Sequence, residues 1–125
     1  MKIAISAKDA PAAIGPYSQA IKAGNTIYVS GQLPVDPATG AFSGDDIASQ
    51  TRQALLNIKA ILNEAGADMS SIVKITVLLK DISHFTAMNE VYATFFTGDF
   101  PARAAYQVAA LPKDALVEIE AIAVV

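Results

Sequence analysis

The chain of 125 residues contains no cysteine and a single histidine, His84. The first absence excludes disulfides, thiol nucleophiles and cysteine-based zinc sites. The second excludes any two-histidine metal motif. Basic residues are sparse as well: nine Lys plus Arg against twelve Asp plus Glu leave a formal net charge of −3, with an isoelectric point near 4.9. No cluster gathers among the nine, so the basic footprint of a nucleic-acid binder is missing. Only two of them are arginines, Arg52 and Arg103. No run approaches the ~18 apolar residues of a membrane span. The opening MKIAISAKDAP has neither an apolar signal core nor a basic amphipathic leader. These absences point to a cytoplasmic protein with no membrane partner and none in nucleic acid.

Hydrophobic residues are plentiful, at 53%. That share is high for a soluble monomer and points to apolar surface buried between subunits. The length suits a single domain, residues 1–125, with a core of its own.

Taken in order, KIAI (2–5) reads as a short strand. Pro11, Gly15 and Pro16 then shape an irregular segment, APAAIGPYSQ, that ends by presenting Tyr17. Ser18–Ala23 and Thr26–Leu33 read as strands joined at Gly24-Asn25, a hairpin signal. Alternation puts Tyr28, Ser30 and Gln32 on one face of the second, and Gly31 marks a bulge or a close approach by another group. A turn-rich loop, VDPATGAFSGDD, leads to a Ser43-x-x-Asp46 capping pattern. The helix that follows, Asp46 to Ala65, carries Ile47, Thr51, Ala54, Leu55, Ile58, Ile61, Leu62 and Ala65 on one stripe, and Gly66 closes it. Arg52 lies off that stripe, on the solvated side.

Ile72–Lys80 (IVKITVLLK) is apolar on both faces, with Val73, Ile75, Val77 and Leu79 on one and Ile72, Thr76 and Leu78 on the other. Such a strand is covered on both sides. Helices supply one cover, and a second subunit is the simplest source of the other. Ser83 is the expected N-cap of a helix over His84–Phe96 with Phe85, Met88, Tyr92, Phe95 and Phe96 inward. Asn89 shares that stripe, where a buried amide must spend its hydrogen bonds, most simply on a neighbouring loop. His84 reads as a surface residue. The result is a mixed α+β layer, two helices on one face of a sheet.

Chemistry concentrates in the last stretch, PARAAYQVAALPKDALVEIEAIAVV (101–125). Two strands flank a Leu111-Pro112-Lys113-Asp114 turn, and the second carries Glu118 and Glu120 on one face. A hairpin here would bring Arg103 near one of these carboxylates. Arg103 then either pairs with a glutamate or grips a ligand carboxylate bidentately. The glutamates, in turn, are either solvated positions or acid/base groups. No metal set, phosphate loop or nucleophile–base dyad competes with them.

Four blocks, AIGPYSQA, YVSGQLPVDPATG, NEVYATFF and FPARAAYQVAALPKDALVEIEAIA, run in order over nearly the whole chain and resemble the reactive intermediate deaminase A family, also called the YjgF-type or Rid family. The resemblance implies a chorismate-mutase-like α+β fold assembled as a homotrimer with ligand sites between subunits. It implies hydrolysis of 2-imino acids and their enamine tautomers, such as 2-aminoacrylate and 2-iminobutanoate, to 2-keto acids and ammonia, without metal or cofactor. By the same resemblance Arg103 holds the substrate carboxylate and Glu118 positions water and relays a proton. Tyr17, Ser30, Gly31 and Asn89 line the site, and Ala105 contacts ligand through its backbone where many relatives have cysteine. Two rivals stand beside this reading. One is a trimer that binds small carboxylates without turnover. The other is RNA cleavage or translation inhibition, which the acidic charge and lone histidine oppose.

Overall fold

A computed structural model describes residues 1–125. The strands are β1 (Lys2–Ile5), β2 (Ala20–Ala23), β3 (Thr26–Gln32), β4 (Ile72–Leu79), β5 (Ala102–Gln107) and β6 (Val117–Val124), with helices α1 (Ile47–Glu64) and α2 (Phe85–Ala93). They form one six-stranded sheet in the order β1-β2-β3-β6-β4-β5. Every neighbouring pair is antiparallel except β4 and β5. This is the expected mixed α+β layer.

All eight residues of the stripe read from α1 are buried, with Ala54, Leu55, Ile58, Ile61 and Leu62 at 0% exposure, and Arg52 is exposed. They pack on Ile75, Val77 and Leu79 of β4 and Val117, Ile119, Ala121 and Ala123 of β6 in one core. Asp46, not Ser43, caps α1. Its carboxylate accepts from the Ser49 backbone N–H at 3.2 Å, while the Ser43 hydroxyl donates to the Ser49 carbonyl. Asp81 rather than Ser83 opens the second helical segment, accepting from the Ser83 N–H at 2.9 Å. A 3-10 turn over Ile82–His84 precedes α2, and α2 ends at Ala93, so Phe95 and Phe96 pack from beyond it. His84 is half-buried rather than on the surface.

Two bulges correct the simple alternation. Register shifts between Ile72 and Lys74, so Ile72 turns inward at 6% exposure and Val73 outward at 48%. In β3 the shift falls between Val29 and Gln32, so Gln32 is buried while Tyr28 is exposed. An extra residue in one strand reverses the facing of everything beyond it.

The larger correction concerns the last two strands, which make no hairpin. β4 lies between them, parallel to β5 and antiparallel to β6. One side chain row runs Arg103–Ile75–Ala121, and another runs Tyr106–Leu78–Glu118. Paired residues project to the same face, and adjacent residues of a strand to opposite faces. Arg103 therefore shares the helix-covered face, and Glu118 the open one.

Candidate functional site

The open face carries Glu118 in a cavity of about 770 Å³ whose lining includes Tyr17, Ser30, Gly31, Lys113 and Glu120. The N-terminal loop reaches it because the buried Gln19 side chain gathers the loop backbone. Gln19 Oε1 accepts from the Ala7 N–H at 2.6 Å, and its Nε2 donates to the Pro11 carbonyl at 2.8 Å. Ser30 ties the loop to β3, its hydroxyl donating to the Ser18 carbonyl at 2.6 Å. Tyr17 is thus held at the rim, 53% exposed. Burial pushes the Glu118 carboxyl above the ordinary glutamate value, and the charge of Glu120 pushes it the same way. A larger protonated fraction results.

Arg103 occupies a second cleft of about 370 Å³, with Asn89, Tyr92, Phe100 and Pro101. Its Nη1 donates to Asn89 Oδ1 at 2.7 Å, so Asn89 holds the arginine instead of buttressing a loop. The guanidinium lies 4.8 Å from the Tyr92 ring centroid and 5.4 Å from that of Phe85. Two aromatic faces and one amide fix its orientation while leaving further N–H groups to donate. It pairs with neither glutamate; the ion pair of the chain is Lys80–Asp114 at 2.7 Å.

Tyr17, Ser30, Gly31 and Glu118 therefore come together, and Arg103 and Asn89 come together, on opposite faces of the sheet. Ala105 of β5 lines neither cavity; it pairs with Val77 of β4 and packs on the core. Phe85 and Tyr92 read as core residues in the sequence and do pack there, and they also seat the arginine. Their shared spacing with Asn89, at 85, 89 and 92, is the signal that joins them to it. The asparagine that does hold a loop is Asn57, which is fully buried. Its Nδ2 donates to the carbonyls of Val35 at 2.9 Å and Leu33 at 3.2 Å.

The family model described as Endoribonuclease L-PSP matches residues 7–125. A 2-iminobutanoate/2-iminopropanoate deaminase of Capra hircus is 58% identical over 120 residues, 96% of this chain and 88% of that one. A RutC family protein of Pyrococcus horikoshii is 56% identical over 123 residues, 98% of each. Among solved structures, a conserved Rid family protein, YyfA from Yersinia pestis, superposes with a TM-score of 0.97 at 50% identity, with 100% of both chains covered. The E. coli protein TdcF with bound serine superposes with a TM-score of 0.95 at 44% identity, with 98% of each covered. Sequence motifs, sheet order and these relatives agree, and the chain belongs to the endoribonuclease L-PSP family, the YjgF/Rid family.

Proposed function

We propose that this protein hydrolyses small 2-imino acids and their enamine tautomers to 2-keto acids and ammonia, in sites between the subunits of a homotrimer. The observation that carries the reading is the split of charged equipment: a carboxylate-gripping arginine on one sheet face and a protonatable glutamate on the other. Neither half suffices alone. A neighbouring copy that lays its Arg103 cleft against the Glu118 cavity unites them and covers the open face, where Tyr28 and Tyr106 are about half exposed. Relatives named as deaminases, among them two that are 58% identical, support the same chemistry.

In this reading Arg103, held by Asn89, grips the substrate carboxylate and aligns the imine carbon. Glu118 protonates the imine nitrogen, which makes that carbon more electrophilic. Water adds, and its proton passes through Glu118 to the departing nitrogen. The resulting carbinolamine collapses to ketone and ammonia, so one water is consumed for each imine. General acid/base help of this kind contributes about 10²–10⁴-fold. An imine is electrophilic enough for that to suffice.

RNA cleavage, named in the family description, finds little support in a chain of net charge −3 whose only histidine lines neither cavity. The test is an assay in which a threonine dehydratase releases the imine in the presence of semicarbazide. The protein is expected to suppress semicarbazone formation, and a folded Arg103→Ala variant is expected not to. Unchanged trapping by the parent, together with keto-acid binding, selects the carboxylate-binding reading instead.

A further inference from the structure

Gly31 lies in the bulge of β3. Val29 pairs with Ala121 and Gln32 with Ile119, so Ser30 and Gly31 together stand opposite Glu120. The glycines with left-handed φ are elsewhere in the chain, at 15, 24, 40, 66 and 98. Backbone conformation therefore gives no reason for glycine at 31. Space does. A Cβ built on Gly31 would overlap Glu118 Oε2, and it would stand 3.0 Å from Cδ and 3.3 Å from Cγ. Comfortable carbon contacts begin near 3.5 Å.

We propose that Gly31 is the positioning residue for Glu118: its missing side chain leaves the room in which the carboxyl lies back across the bulge, half-buried. The proposal rests on the reading of Glu118 as the acid/base group and adds how that group is held. Any side chain at 31 pushes the carboxyl out of that half-buried seat, and its titration moves back toward that of an ordinary glutamate. The other ionisable groups that face it are Glu120 on the same strand, Lys2 of β1, Lys74 of β4, Tyr28 of β3, Tyr106 of β5, Tyr17 of the N-terminal loop, Lys113 of the turn before β6 and, in the proposed assembly, Arg103 of the neighbouring copy. Gly31→Ala replaces none of them, so a change in the Glu118 titration reports its own displacement.

The experiment follows the Glu118 carboxyl by carbon NMR through a pH titration in the parent and in Gly31→Ala, alongside kcat and KM in the trapping assay. The carboxyl of Gly31→Ala is expected to titrate at lower pH. Its kcat is expected to fall on the order of 100-fold, the scale of a 1 Å misplacement, with a smaller change in KM. Adding Glu118→Asp, one methylene shorter, should return part of the lost turnover. A titration unmoved by Gly31→Ala, or losses that simply multiply in the double variant, overturns the proposal. Should Gly31→Ala prove too unstable to assay, Gly31→Ala/Glu118→Ala decides by thermal melting. Recovery of the parent's Tm confirms the overlap, and a persistent loss refutes it. Full turnover in Glu118→Gln would defeat the acid/base reading while leaving the titration shift to judge the positioning.

Discussion

Glu118 and Arg103 meet opposite electrostatic demands. In the half-buried seat of Arg103, two ring faces and the Asn89 carbonyl oxygen replace part of the guanidinium's hydration. Glu118 has burial and a like charge against its ionised form. The sign of the linkage follows. With its folded pKa raised, Glu118 contributes its full stability below the unfolded value of about 4.3, and that contribution is lost as pH rises through the folded pKa. Glu118→Gln removes the penalty. Its Tm should match the parent's near pH 4 and exceed it near pH 8. In the same variant keto-acid binding should persist while turnover falls ~10²-fold or more, because an amide cannot relay the proton. Comparing melting curves at the two pH values with single-turnover rates checks both halves. A Tm gap of the opposite sign would mean that the ionised carboxylate is the stabilised form.

At the scale of elements, α1 and the loop after β3 are one unit. The helix forms because its apolar stripe has the period of an α-helix and Asp46 caps it. Asn57 then joins it to the loop by two side chain–backbone bonds. Asn57→Ala would strand two carbonyls, so a destabilisation of about 2 kcal/mol is expected in urea unfolding. Activity should fall as well, because Leu33, Val35 and Pro37 of that loop line the Glu118 cavity. A near-neutral melt would show that water satisfies the carbonyls. The period of α1 was readable residue by residue, since each turn reports on one face only. The facing of Val73 and Gln32 was not, because each bulge depends on a partner strand that local sequence does not name. Asn89, read as a loop buttress, seats Arg103 instead, and the loop falls to Asn57, for a similar reason: a side chain amide bonds whatever the fold places beside it.

For the whole molecule, opposite-face placement has a direct consequence. If each site takes Arg103 from one copy and Glu118 from another, two dead variants can complement. Arg103→Ala and Glu118→Gln, each nearly inactive, should give about a quarter of parental activity when refolded together at equal amounts, since random assembly pairs two intact halves in that share of sites. Activity no greater than that of the separate variants would place both residues in one subunit's site. Light scattering on the same samples should give three times the 13.0 kDa chain mass.

Residue patterning by itself determined the two helices, the strand order along the chain, the buried stripe of α1 and the blocks that mark the family. All of these depend on period and local chemistry, which a linear sequence carries. The tertiary structure decided that β4 separates β5 from β6. That one insertion turns an expected hairpin, with Arg103 beside a glutamate, into two cavities on opposite faces. Strand neighbours are chosen by contacts between distant segments, and a side chain's facing inherits that choice. The candidate residues that the structure gathers into cavities, Tyr17, Ser30, Gly31 and Glu118 in one and Asn89 and Arg103 in the other, were legible before the fold was known; their division between the two was not, nor was the place of Ala105 outside both.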